Sequence, residues 1–555
     1  MIIEHDQIAD ASKFAAEVCI VGSGAAGITL AVELGRAGVD VLLIAGGGRS
    51  YSERNQDFYR GTDETGIPLE RSRLRRFGGT TAVWGGRCIP FDPIDFDKRD
   101  FVPHSGWPIG WEELQPYYRR SQDHLDIGSK FSFEVRELLP DEPPDLIEGF
   151  RDEILETHRV EKWSLPTNLG KKHEDELSAL ANVRVLMDSH LVRTVMNQDS
   201  TEVSRLVCRT DGRRNFSCIA SRFVFAMGGL ETTRHLLQPT EARPNGIGNQ
   251  SNLLGRFFMT HISGAIAEIS LDPSLHVVNK YETDADGIYC RRRLQISAAA
   301  QKEFELLNFA AFLHDPPLHD ARHRNPVLSL LFLAKGFRGV ALRIPAEYSV
   351  ELAYKRFGLQ DYLPHLRNII LGIPRLMRAA PGLIYKRLVR RRKLPSVIVK
   401  KAINRFTLYY HVEHAPDPNS RLMLSDDFDA HGLRRLHVSM HYSDLDVDSI
   451  LKAHELIKQR VEQARIGTLE YLTDNPRQHV ERQIGFGGHQ LGTTRMATNP
   501  EKGVVDINGR VFGIHNLYVC GPSVFVTGSH ANPVLTIVAM AIRLADHLQT
   551  EFEIL

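Results

Sequence analysis

The sequence predicts an α/β protein, α+β overall once its middle third is counted, on three observations. "EVCIVGSGAAGITLAVELGRAGVDVLLIAGGG" (17–48) reads as strand, glycine turn, helix and second strand. "RFVFAMGGLETTRHLL" (222–237) is an apolar strand that runs into Gly-Gly and then into a helix starting near Glu231. "FTLYYHVEHAPDPNSRLMLSDDFDAHGLRRLHVSMHY" (406–442) alternates like antiparallel strands around Pro, Asn and Gly turns.

In the first stretch the apolar run of Val18, Ile20 and Val21 stops at Gly22. Gly22, Gly24 and Gly27 then place G-x-G-x-x-G at the head of an amphipathic segment ending at Gly38. "DVLLI" follows with the continuous apolar character of a buried parallel strand. The glycines have separate jobs: a tight turn, close approach of backbone to a pyrophosphate, and helix–strand packing. The helix N-terminus adds free N–H groups and a favourable dipole. A glycine-rich loop alone would mean little; the strand before it and the helix after it point to a dinucleotide. One departure matters. The second strand of such a unit normally ends in an acidic residue that holds the ribose, roughly 20 residues past the glycines. Ala45 occupies that position, followed by Gly46, Gly47 and Gly48. Backbone, water or a residue from elsewhere must hold the ribose, with Arg49 a neighbouring candidate.

At 555 residues the chain suits two or three domains, which can be interleaved. It is 42% apolar and a quarter charged, with a formal net charge of zero, which argues against a general nucleic-acid binder. Six scattered cysteines with no C-x-x-C pair fit neither a zinc site nor a disulfide framework, so no metal is expected and a reducing, cytoplasmic compartment is. The first 22 residues lack a basic n-region followed by an apolar h-region, so no secretory signal is expected. No apolar run of about 18 residues predicts a spanning helix. No internal repeat or low-complexity tract interrupts the chain.

Two more segments complete a pattern. "RRFGGTTAVWGGRC" (75–88) is a second glycine-rich stretch, suited to pass close to a flat ring. "GRVFGIHNLYVCGPSVFVTGSHANPVLTIVAMAIRLADHL" (509–548) gives a strand, a small-residue loop and a helix from Pro533. With the N-terminal fingerprint and "HQLGTTRM" (489–496), these stretches resemble the glucose–methanol–choline family of FAD-dependent oxidoreductases, and within it the pyranose-oxidase and bacterial sugar-oxidising branch. The resemblance covers the nucleotide-binding half well and the middle of the chain loosely.

The resemblance implies a Rossmann-type FAD-binding domain with an interleaved substrate-binding domain built on an antiparallel sheet. The expected FAD-binding parts are 1–110, 181–261 and 481–555; the expected substrate parts are 111–180 and 262–480. It assigns Gly22, Gly24, Ala25, Ala26 and Gly27 to the pyrophosphate loop, and Gly78, Gly79 and Thr80 to the segment beside the isoalloxazine ring. Val192 is placed where a backbone group meets the adenine, and Gly521, Asn532 and Pro533 in the closing cofactor loop. Members that attach FAD covalently use a histidine in the 75–88 segment; Val83 takes the matching position, which implies non-covalent FAD.

The same resemblance makes His489 the active-site histidine and Asn532 its partner. Alcohol oxidation needs a base for the hydroxyl proton, and imidazole suits that task. Without the resemblance, His489 reads equally as a satisfied loop histidine, and Asn532-Pro533 as a helix N-cap with proline at the first helical position. His530 faces the same loop as a supporting residue, while Thr493 and Arg495 hold it. In the middle of the chain Glu413, His414 and Asn419 are candidates for substrate contact, although turn chemistry explains Asn419 as well.

Residues 335–405 hold seventeen Lys and Arg against three acidic residues, with "YKRLVRRRKL" the densest part. Leu366, Ile369, Ile370 and Ile373 recur there at helical spacing, and Pro374 and Pro381 break the run. A solvated helical face is one reading. The other is a basic amphipathic surface that lies on anionic lipid at the inner face of the membrane, or admits a phosphorylated or lipid-linked substrate. The expected activity is FAD-dependent oxidation of a secondary hydroxyl of a sugar or glycoside to a ketone, with oxygen or another acceptor reoxidising the flavin. A dehydrogenase of a non-sugar alcohol such as a sterol or polyol, and a membrane-associated flavoprotein without catalysis, are the alternatives.

Overall fold

The computed structural model describes residues 1–64, 68–314, 318–334, 357–395, 404–483 and 488–554. Its N-terminal unit is β1 (Ser12–Val21), α1 (Ala25–Arg36) and β2 (Val41–Ile44). α2 (Trp111–Leu125) and α3 (Leu169–Ala179) follow. The chain then returns through β3 (Val183–Leu186), β4 (Ser189–Met196), β5 (Val203–Thr210) and β6 (Asn215–Phe225) into α4 (Gly228–Leu237). α4 starts three residues before the expected Glu231, because Gly228, at φ +79°, turns the chain straight from the strand into the helix. The middle region contributes β7 (His261–Leu271), β8 (Leu294–Ile296), β9 (Phe309–His314) and α5 (Pro326–Ala334). It continues with α6 (Leu359–Leu371), α7 (Ile373–Ile384), β10 (Arg405–Glu413), β11 (Arg421–Phe428), β12 (Arg434–Ser439), α8 (Asp444–Gln463) and β13 (Gly467–Tyr471). β14 (Leu517–Val519) and α9 (Val534–Ile554) close the chain.

Two large sheets result. In the first, the order is Ile2–Ile3, β3, β2, β1, β6, β5, β4, with β14 also paired to β6. The pairings β3–β2, β2–β1, β1–β6 and β6–β14 are parallel, so the apolar runs of these five strands lie within the sheet. The second sheet is antiparallel throughout, in the order β13, β7, β10, β9, β8 and Leu155–Glu156. α8 covers it with Val447, Ile450, Ala453, Ile457 and Val461, in a core shared with Ile262, Leu408 and Val412. Fully burying each Val, Leu or Ile in this way contributes about 1.5–3 kcal/mol. The 406–442 stretch divides: β10 is central in this sheet, whereas β11 and β12 pair with each other and with Thr62–Asp63.

The structure differs from the expected boundary at residue 111. Leu114, Tyr118 and Leu125 of α2, and Leu169 and Leu177 of α3, lie in the same apolar core as Ile20, Leu43 and Ala545. Both helices therefore pack with the nucleotide-type fold; the intervening strands, Leu155–Glu156 and Val160–Trp163, join the other sheets. Of the basic stretch 335–405, residues 335–356 and 396–403 lie outside the described residues.

Candidate active site

β1, β6 and β14 end at Val21, Phe225 and Val519, and a glycine follows each end closely: Gly22, Gly228 and Gly521. A Cβ built on Gly22 would stand 2.5 Å from the carbonyl oxygen of Ala226, and one on Gly27 would overlap Gly22 O. Those two glycines are demanded by packing. At Gly24, Gly228, Gly488 and Gly521, by contrast, a Cβ would meet nothing within 4 Å. Gly24, Gly228 and Gly521 follow the carboxyl ends of the parallel strands, the usual place for a ligand in such a sheet. α1 starts there from Gly24 with no side-chain cap and no acidic residue in its first turn, so the N–H groups of Ala25, Ala26 and Gly27 are left for an anion.

The 75–88 segment joins this rim. Gly78 N donates to Ser23 O (2.9 Å), and a Cβ on Gly79 would stand 2.9 Å from Gly24 Cα. Thr80 Oγ1 accepts from Leu74 N (3.2 Å). Val83 ends the turn with its side chain 66% exposed. Val192 lies in β4 at a bulge: the ladder pairs Leu191 with Cys208 and Arg193 with Val207 and skips Val192. Arg49 is ion-paired to Glu4 and Glu174. The carboxylate that approaches the glycine run is instead Asp188, whose Oδ2 would stand 2.6 Å from a Cβ on Gly48.

The segment 491–496 is sewn between two others. Leu491 exchanges backbone hydrogen bonds with Met259, Gly492 N donates to Pro522 O, Thr494 N to Ser523 O and Met496 N to Val524 O. Thr493 Oγ1 donates to Gly229 O, and Arg495 donates to His104 O while its guanidinium covers the Phe257 ring at 4.3 Å. The neighbours of His489 thus lock a loop in place.

His489 itself is half-buried. Its Nδ1 lies 2.8 Å from His261 Nδ1, and its Nε2 lies 3.3 Å from Asn532 Nδ2. His261 Nε2 lies 3.2 Å from Gly528 O. A carbonyl only accepts, so His261 Nε2 carries a hydrogen and, in the neutral ring, His261 Nδ1 is a bare acceptor. His489 must then donate from Nδ1, which leaves the lone pair on its Nε2. Burial, and after it the positive charge of Arg87, lowers the His489 pKa to about 4, so Nε2 is unprotonated at neutral pH and accepts from Asn532 Nδ2. Burial likewise holds His261 well below the ordinary range, with His489 and Arg87 adding to the effect.

Asn532 does not cap α9. The helix starts at Val534, one residue after the expected Pro533, and its first backbone bond is Ile537 N to Pro533 O (2.8 Å). Asn532 Oδ1 is buried and accepts no bond, and His530 Nε2, fully buried beside it in sequence, has no partner either. Asn532 Oδ1, on the side chain that reaches His489, is thus an acceptor left open for a ligand.

The known proteins that resemble this chain agree in kind. A profile described as "GMC oxidoreductase" matches residues 416–541, and one described as "FAD binding domain" matches 15–54. Paromamine 6'-oxidase of Streptomyces fradiae is 27% identical over 305 residues, 46% of this chain and 56% of that protein. The fructose dehydrogenase large subunit of Gluconobacter japonicus is 20% identical over 97% of this chain and 98% of its own length. A solved formate oxidase, 14% identical, superposes over 98% of this chain and 100% of its own with a TM-score of 0.52, which shows a shared fold. These matches together support a glucose–methanol–choline family FAD-dependent oxidoreductase. The chain is an FAD-dependent oxidoreductase acting on CH–OH donors.

The residues present fit FAD. The bare glycines leave the space, and the α1 N-terminus supplies N–H groups. Among the described residues no cluster of three or more His, Cys, Asp or Glu is arranged to hold a metal ion, and the six cysteines are free and buried. Glu413, His414 and Asn419 serve the framework instead of the cradle. Glu413 holds Arg99 in a two-point pair (2.6 and 2.8 Å), both fully buried. His414 bonds Thr260 N and His441 O, and Asn419 sits in an exposed turn on Asp417. His261, Arg87 and His411, whose ring lies 6.1 Å from that of His261, were not foreseen. "MTHISG" carries no local motif around His261, and its partner His489 is 228 residues away.

Proposed function

We propose that this GMC oxidoreductase oxidises a hydroxyl of a sugar or glycoside, a secondary one giving a ketone, with His489 as the base. The sugar-like substrate named for fructose dehydrogenase, which matches the chain end to end, supports the class. The observation that carries the reading is the hydrogen-bond order Gly528 O, His261, His489, Asn532, which fixes His489 Nε2 as an unprotonated acceptor beside the Asn532 amide.

Bound FAD supplies the acceptor for the hydride that leaves the carbinol carbon. The hydroxyl proton passes to His489 Nε2 while the C–O bond becomes a carbonyl. His261 keeps the His489 ring in the receiving tautomer throughout, since its Nδ1 goes on accepting from His489 Nδ1–H. The amide of Asn532 hydrogen-bonds the same substrate oxygen. Gly22, Gly24, Ala25, Ala26 and Gly27 would hold the pyrophosphate; Gly78, Gly79 and Thr80 would flank the ring; Gly521 and Pro533 would close the cradle, and Val192 would meet the adenine through its backbone.

A positioned base is typically worth about 10²–10⁴ in rate. His489→Ala should slow anaerobic flavin reduction by a known substrate at least about a hundredfold while FAD stays bound. A variant that keeps its FAD and reacts within about threefold of the parent removes His489 from the mechanism. The substrate class is tested by flavin bleaching across sugars, glycosides, sterols and polyols; bleaching by sterols or simple polyols alone overturns the sugar reading, and an aldehyde product overturns the secondary hydroxyl.

A further inference from the structure

α6, α7 and the turn after them wear their polarity inside out. On the inner side, His365 is buried with Nδ1 3.0 Å from Ser329 Oγ and Nε2 3.2 Å from His319 O. Asn368 Nδ2 donates to Ala321 O (2.8 Å) and Ser329 Oγ (3.2 Å). On the outer side stand Leu359, Leu363, Leu366 and Ile370, spaced i, i+4, i+7, i+11, the repeat of one helical face. Leu371, Ile373, Met377, Tyr385 and Val389 extend the same exposed surface. Each of these nine side chains is 44–79% exposed. They make up nine of the seventeen exposed large apolar side chains among the described residues, so the exposure is concentrated here and not scattered.

The charge beside this face has one sign. Residues 357–395 contain nine Lys and Arg and one acid, Asp361. Arg367, Arg375, Arg378, Lys386, Arg391 and Lys393 are exposed. Arg392 is half-buried and donates to Trp163 O and Asp126 O (both 3.0 Å), which rivets the basic end to the body. A second copy of this chain seated on the stripe would bring two such basic segments together, and like charges oppose that. Anionic lipid answers both features at once, with acyl chains for Leu and Ile and headgroup charge for Arg and Lys. None of the described helices is long and apolar enough to cross a membrane, so the segment would lie on the surface.

We propose that the α6–α7 face docks the enzyme on an anionic membrane surface, independently of its redox chemistry. The test is co-sedimentation of the FAD-loaded full chain with vesicles of phosphatidylcholine, with and without one quarter phosphatidylglycerol. The wild type should pellet with the anionic vesicles and be released by added salt. Leu363→Ser/Leu366→Ser/Ile370→Ser, all at exposed positions, should lower the partition at least about tenfold with an unchanged flavin spectrum. Arg375→Gln/Arg378→Gln/Arg391→Gln/Lys393→Gln should lower it on anionic vesicles by a similar factor. A wild type that stays in the supernatant, or a Ser variant that pellets like the parent, overturns the proposal. So does light scattering that shows a dimer which the Ser variant dissolves, because the face would then belong to a second copy.

Discussion

The ring of His261 meets that of His489 edge to face, with centroids 4.7 Å apart and planes at 88°. Holding the His489 tautomer needs only an acceptor at the His261 Nδ1 position. His261→Ala should therefore slow flavin reduction by about 10–100-fold, and His261→Asn, whose amide oxygen accepts, should recover most of the rate. Stopped-flow reduction of both variants decides this; equal rates would mean the ring merely fills space.

Asn532 separates the two roles its position suggested. With Oδ1 unbonded and the helix starting later, Asn532→Ala should leave thermal stability within about 0.5 kcal/mol, without the roughly 1 kcal/mol loss expected from a removed cap. The rate of flavin reduction should fall all the same. A melting curve shifted by the full cap value would contradict the unbonded oxygen.

Acid should act on this protein through two of its histidines. Burial lowers His454 to about 4, only partly opposed by its bond to Ile450 O, and burial lowers His489 to a similar value. A folded-state pKa below the unfolded 6.5 means the unfolded chain binds the proton more tightly. The stabilising contribution is thus present above pH 6.5 and is lost as pH falls towards about 4. For His454 the loss between pH 7 and 5 is about 2 kcal/mol. Urea unfolding of His454→Leu at both pH values should show a correspondingly smaller drop than the parent; an identical drop would clear His454. The low-pH limb of kcat/KM should likewise fall near the His489 value, below pH 5.

The Arg99–Glu413 pair is buried on both sides. Removing one partner strands the other charge, so Glu413→Ala should cost about 3–5 kcal/mol. The folded fraction should still reduce flavin at close to the parent rate. A variant of normal stability with a large rate loss would return Glu413 to the substrate site.

Val83 offers no nucleophile to the cofactor, and its side chain points largely into solvent. Acid precipitation should leave the yellow chromophore in the supernatant. Flavin that stays with the pellet would refute non-covalent binding.

What could be read from the sequence was what is local. Gly22, Gly24 and Gly27 announce themselves because strand, turn and helix occupy consecutive residues, and "HQLGTTRM" carries its own locking residues. His261 could not be read, since the backbone bridge between Met259 and Leu491, far apart in sequence, brings it beside His489. The placement of α2 and α3 was missed for the same reason: their apolar residues look alike whichever sheet they cover. The inverted polarity of α6 was half visible as Leu366, Ile369 and Ile370, but not which side faced water.

The first sheet also sets a timetable for synthesis. β1 pairs in register with β6, Val21 beside Phe225, and β6 pairs in turn with β14, Phe225 beside Val519. At about 5–20 residues per second, β1 waits roughly 10–40 s on the ribosome for its neighbour, and that neighbour waits roughly 15–60 s more for β14. For over half a minute at typical speed, Val18–Val21 and then Phe223–Phe225 are unclaimed apolar strand edges. The translation rate and holding chaperones, more than any change in the finished core, should govern how much of this enzyme is recovered from an expressing cell.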